Sequence, residues 1–188
     1  ARHGLADARE LQLDVHSIWA EELVRGVIAP ALAGEAERLP PLARAARKEL
    51  LSWDFRAHAD SAAAAIYYRL YQSLAKKVLE PSLGARVFRS YFEMINFSVL
   101  PIETILLDAN SPWFRGADRS HLVREALVEA ANDLATRLGP DVHAWRCGAL
   151  HRTTMGHPLG ALPGVGKLLN IGPFPAGKLL LHPPIRPN

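Results

Sequence analysis

The sequence predicts a mainly α-helical, bundle-like fold that ends in a loop-rich Gly/Pro tail, and three observations carry that prediction. From Leu5 to about Gly139 apolar residues recur at steps of three and four, the period of a helix with one buried face. Start and stop signals punctuate that stretch: Pro40-Pro41, Asp60-Ser61, Asp118 and Ser120, and the pair Gly139-Pro140. From Gly148 onward Gly and Pro return every few residues, which no regular helix tolerates. The expected organisation is a helical domain over 1–141 and a loop-rich C-terminal segment over 142–188. With 188 residues, nearly half of them apolar, the chain is long enough to bury a core.

In the first segment Leu11, Val15, Ile18 and Trp19 define an apolar face opposite Glu10, Asp14 and Glu21, and Leu23 and Val27 extend it. Pro30 predicts a kink or an end, because its ring removes an amide donor and crowds the preceding turn. Pro41 suits a first helical turn, and Leu42, Ala45, Ala46, Leu50 and Trp53 form the next stripe. Asp60 or Ser61 caps an Ala-rich helix over Ala62 to Leu79, with Ile66, Leu70, Leu74 and Val78 in line. Pro81 and Gly84 then separate it from Val87 to Leu107, which Pro101 divides; Phe88, Phe92 and Ile95 favour helix there over a buried strand. Asn110-Ser111-Pro112 marks a turn. The clearest helix follows, with Leu122, Ala126, Ala130 and Leu134 at intervals of four beside Leu127 and Leu138, ended by Gly139-Pro140. In the tail one short strand is expected around Lys167 to Ile171. No repeat of solenoid length is present.

Composition removes several function classes. No apolar run approaches the ~20 residues that span a bilayer, and Ala1 to Ala20 mixes acids and bases where a signal peptide has its apolar region. Any export signal is therefore expected outside this sequence. The single Cys147 excludes an internal disulfide and a Cys-only zinc site. The net charge is +3, but Val142 to Asn188 holds Arg146, Arg152, Lys167, Lys178 and Arg186 with no acid. These bases are widely spaced among Leu168, Leu169, Ile171 and Phe174, a pattern that fits packing on acidic or polar protein better than nucleic acid or membrane.

Residues with catalytic potential form no complete constellation. Gly160 to Lys167 imitates a phosphate-binding loop, yet five residues separate Gly160 from Gly166 and Leu168 stands where Ser or Thr must hold magnesium. His143, His151 and His157 are eight and six residues apart, not at the spacing of paired metal ligands on a helix. No G-x-S-x-G elbow occurs. The pairs Glu10 with Asp14 and Glu125 with Glu129 read as solvated helix faces, and Trp19, Trp53, Trp113 and Trp145 as core or interface anchors.

Three landmarks nevertheless carry a resemblance. The run Trp145-Arg146-Cys147-Gly148-Ala149-Leu150-His151-Arg152-Thr153-Thr154 leads into His157-Pro158-Leu159-Gly160 and Asn170-Ile171-Gly172-Pro173-Phe174-Pro175. It resembles the C-terminal signature of the penicillin acylase family. Leu5 to Ser17, with Leu11-Gln12-Leu13-Asp14 and Ser17, is similar to a helix of that family. Leu50-Leu51-Ser52-Trp53-Asp54 followed by Ser61-Ala62-Ala63 resembles a second family segment. Together they align the chain with the helical middle and C-terminal return of the family's large β-subunit, part of a larger αββα core.

The resemblance implies an amidohydrolase whose N-terminal serine is nucleophile and whose own α-amine is base. This chain begins with Ala1, so the nucleophile, the oxyanion hole, the small α-subunit and the calcium ligands of some members are expected to precede it. Thr154-Met155-Gly156-His157 and the run Lys178 to Pro184 depart from the family pattern. No catalytic, cofactor-binding or metal-binding residue is assigned in this chain, and no cofactor is implied. The expectation is a non-catalytic portion of a parent that hydrolyses linear amides, such as β-lactam side chains or acyl-homoserine lactones, in the periplasm or outside the cell. Its partner would be the remainder of the precursor, with self-association when isolated; neither nucleic acid nor membrane is a partner. The alternative is a free-standing helical interaction module that has lost catalysis, and it differs in requiring the tail's apolar face to be covered.

Overall fold

A computed structural model describes residues 4–34, 36–93, 99–161 and 165–175. Helix α1 (Leu5–Leu13) is succeeded by α2 (Ile18–Leu23), a π-helical turn over Val24–Ile28, and α3 (Ala29–Leu32). Ser17 caps α2, its hydroxyl accepting from Ala20 N. The helical path continues past Pro30 instead of ending there. The wider π-turn ahead of it, where Ala29 N–H donates to Val24 O, gives the ring the room that an α-turn denies.

The face predicted for this first segment is right only at its far end, where Leu23 and Val27 are buried as expected. Leu11 and Ile18 are 73% and 71% exposed and Trp19 is nearly half exposed, whereas Ala20, Leu23, Val24, Val27 and Ile28 are buried. None of α1 is buried. Periodicity located an apolar stripe but could not say which stripe has a neighbour.

The body consists of α4 (Pro41–Leu51), α5 (Ala62–Glu93), α6 (Val99–Leu107) and α7 (Arg119–Leu138). In α4, Ala46 and Leu50 are buried as expected, with Trp53 just beyond it; Ala45 is exposed and Ala43 takes the inner position. The expected α5 stripe of Ile66, Leu70, Leu74 and Val78 is wholly buried, and Ser61 caps this helix, accepting from Ala64 N at 3.1 Å. Four small residues, Ala62 to Ala65, are all buried at the start of this helix. The break before Val87 falls at Gly84 (φ 75°, ψ 153°), a conformation open to glycine, while Pro81 stays inside the helix. Pro101 sits in the first turn of α6; Ile95 and Phe97 lie outside the described residues.

Helix α7 packs most extensively on α5, burying Val123, Ala126, Leu127, Ala130, Ala131 and Leu134. Asp118 caps it, accepting from Ser120 N and His121 N, and Gly139 (φ 94°) ends it. Beyond it Val142, Trp145 and Cys147 still belong to the core.

The C-terminal part holds α8 (Cys147–Leu150), β1 (Arg152–Met155), α9 (Gly166–Leu169) and β2 (Ile171–Pro175). The expected strand over Lys167 to Ile171 is displaced: Gly166–Leu169 is a helical turn, and the strand begins at Ile171. β1 and β2 form an antiparallel two-stranded ribbon with Arg152 opposite Pro175 and Thr153 opposite Phe174. No described helix is long and apolar enough to cross a membrane.

Candidate functional site

The three sequence landmarks meet on one loop, residues 52–61. Asp54 starts it with an Asx turn, its carboxylate accepting from Arg56 N at 2.9 Å, and Trp53 Nε1 donates to Arg56 O at 3.1 Å. Phe55 is held at φ 61°, a strained conformation for an aromatic residue. One edge of this loop binds the N-terminal segment: Ser17 N–H donates to Phe55 O at 2.9 Å and Ala57 N–H to Val15 O at 3.0 Å. The other edge binds the C-terminal signature, with Gly148 N–H donating to Ala59 O at 2.7 Å and Cys147 N–H to Ser61 O at 3.3 Å. Gly148 is required by contact, since a Cβ there would lie 2.7 Å from Pro175 Cβ and 3.0 Å from Ala59 Cβ.

The signature residues are thus architectural where they are described. Trp145 is fully buried and its indole N–H donates to Gly139 O at 2.8 Å, tying α8 to the end of α7. Asn170 Oδ1 accepts from His157 N at 2.9 Å, and a Cβ on Gly160 would collide with that same oxygen. Asn170 therefore lies against both Gly160 and Gly166, the two glycines of the false phosphate loop, whose residues 162–164 lie outside the described residues.

Behind the loop runs a row of rings. Trp53 stands 5.4 Å from Phe55 and 5.6 Å from Tyr67, Tyr67 stands 5.4 Å from Tyr68 and 6.0 Å from Tyr71, and Tyr68 meets His151 edge-on at 5.8 Å. The Arg25 guanidinium covers Phe55 at 5.2 Å. Two titratable groups border this row without a hydrogen-bond partner for one atom each, His151 at Nε2 and Glu103 at Oε2. Burial, then nearby Arg69, pushes the His151 imidazole down to about 4. Burial pushes the Cys147 thiol up to about 12. A thiol kept protonated and an imidazole kept neutral are the reverse of the charge states of an activated Cys–His pair.

The histidines are scattered. His143 is on the surface beside Glu49 at 3.3 Å, His151 is buried, and His157 Nδ1 accepts from Leu159 N at 3.1 Å. Among the described residues no group of three or more His, Cys, Asp or Glu is arranged to hold a metal. Glu125 and Glu129 lie on a solvated face, where both grip Lys77 at 3.3 and 2.6 Å. Trp53 and Trp145 are core anchors, Trp113 packs against the core, and Trp19 faces outward. Glu103 was missed, although it is the lone charge in the apolar run Val99–Leu107, and that isolation was visible.

Among the described residues, two groups of large apolar side chains are exposed near the ends of the chain. On the ribbon and its flanks Met155, Leu159, Leu168, Ile171 and Phe174 are exposed, Leu168 at 84%. At the other end Leu5, Leu11 and Leu13 stand out from α1, beside a groove of about 590 Å³ lined by Asp7, Glu10, Asp14 and Arg56. Among known proteins, the family model described as penicillin amidase matches residues 1–178. No curated protein matches the chain.

Proposed function

Given that the chain belongs to the penicillin amidase family, we propose that it is a non-catalytic, bracing portion of an amidohydrolase. The parent hydrolyses linear amide bonds of acylated compounds, with β-lactam side chains and acyl-homoserine lactones as the substrate classes, and acts in the periplasm or outside the cell. In this reading the helical body is a self-contained support, and the uncovered ribbon and α1 meet the remainder of the precursor.

The observation that carries the reading is the outward-facing apolar set Met155, Leu159, Leu168, Ile171 and Phe174 on and beside a ribbon that has two strands among the described residues. Such a ribbon is marginal alone, has no further strand paired to it among the described residues, and gains from a covering surface. A free-standing module would cover it.

Two measurements test this. The chain alone is expected to release no phenylacetate or fatty acid from chromogenic amides, and sustained turnover that tracks the purified chain overturns the non-catalytic role. In the full precursor, Ile171→Lys with Phe174→Lys is expected to lower amidase activity and assembly together, while the helical body keeps its stability. Unchanged assembly would remove the ribbon from the interface.

A further inference from the structure

We propose that α6 is a proton-controlled latch: it stays packed against α2 and the Val24–Ile28 turn while Glu103 is protonated, and ionisation of Glu103 releases it. The inference is independent of the role proposed for the chain.

Glu103 is 2% exposed and flanked by the buried Ile102 and Leu106, and its Oε2 has no hydrogen-bond partner. Among the described residues, the charged group that acts on it is negative. From α2 the near group is Glu22, and from α5 the phenols of Tyr67 and Tyr71 face it. The charged group of the Val24–Ile28 turn is Arg25, whose guanidinium is engaged by Glu21 at 2.9 Å and by the Phe55 ring. At the start of α7, Arg119 donates instead to the carbonyl oxygens of Leu106 and Leu107, at 3.0 and 3.2 Å. A carboxylate formed here is desolvated, unpaired and repelled by Glu22, so it is accommodated only if α6 moves towards water.

Burial first and Glu22 second push the Glu103 carboxyl from 4.5 up to about 7. Between those values the open form has lost its proton and the closed form keeps it. The closed form therefore loses stability as pH rises through this window and levels off above it. The width of the window sets the ceiling, up to about 300-fold in the open population, of which pH 5 to pH 8 samples roughly 70-fold.

The test is hydrogen exchange of the peptide covering 99–107 at pH 5 and pH 8, corrected for the chemical exchange rate, with 123–134 of α7 as internal reference. The expected result is opening of 99–107 that increases 10- to 100-fold relative to α7, and a pH-independent response in Glu103→Gln. A wild-type peptide without that increase, or a Glu103→Gln protein that retains it, overturns the latch. Should Glu103→Gln fail to fold, carbon-13 titration of Glu103 in the wild-type chain decides: a midpoint near 7 upholds the proposal and one near 4.5 rejects it.

Discussion

The helical body and the C-terminal ribbon are built from similarly apolar sequence and spend it in opposite ways. In α5 and α7 the apolar positions turn inward at Ile66, Leu70, Leu74, Leu127 and Leu134, all without exposure. In the ribbon and its flanks Met155, Leu168, Ile171 and Phe174 turn outward. Both regions hold backbone hydrogen bonds, so local structure does not distinguish them. What distinguishes them is a second layer: α7 has α4 and α5 to lie on, whereas the ribbon touches the body mainly through α8. Burial, which contributes about 25 cal/mol per Å² of apolar surface, is therefore concentrated in the body.

The sharpest way to break that contrast is to shorten one leucine in each region. Leu127→Ala is expected to cost about 2 to 5 kcal/mol in urea unfolding, and Leu168→Ala less than about 0.5. Similar losses at both sites would mean that the ribbon is as well packed as the body. Next in size is Gly148→Ala, where the new methyl meets Pro175 and the backbone oxygen of Ala59. Overpacking of this kind costs about 1 to 3 kcal/mol, and the readout is faster hydrogen exchange in β1 and β2 with α7 unchanged. Equal acceleration in α7 would show one cooperative unit.

Acidity separates the regions in a second way. His151 is held neutral by burial, with its imidazole pushed down from 6.5 to about 4. Below 6.5 the opened segment takes up a proton that the packed segment refuses, so the α8 contact loses stability as pH falls towards 4. Glu103 has the opposite sign. Exchange in 147–151 should therefore accelerate towards acid while 99–107 accelerates towards alkali, and His151→Leu should remove only the acid response. The smallest effect is expected at Asn170→Ala, which deletes one bond to His157 N and should cost about 0.5 to 1.5 kcal/mol, seen as a looser 157–170 turn.

Legibility in the sequence followed the same division. α7 could be read almost completely, because Asp118, the spacing of four and Gly139 agree with one another and with its neighbours. The start of the chain could not: Leu11 in α1 and Ile18 at the head of α2 satisfy the period but have no described surface to lie on. The strand Ile171–Pro175 was misplaced because it contains Gly172, Pro173 and Pro175, residues that strand propensity rejects and that an exposed edge accepts. The π-turn before Pro30 has no sequence period of its own. The landmark residues were recognised as family-like, yet their work as clamps on the 52–61 loop is a three-dimensional fact; only Gly148 and Trp145, a glycine and a tryptophan in a small motif, hinted at close contact.

That loop also leaves open the order in which the two segments that reach it are secured. Val15 reaches it across the span from 15 to 57, and Gly148 reaches it across the span from 59 to 148, roughly twice as long. Because the entropy of closing a loop grows only with the logarithm of its length, the longer closure is dearer by only about 0.6 kcal/mol. Neither terminus has a strong head start, and neither needs the other to have arrived. Severing the chain on one side of residues 52–61 should leave the opposite attachment in place, so the two arms behave as separate moorings on one bollard.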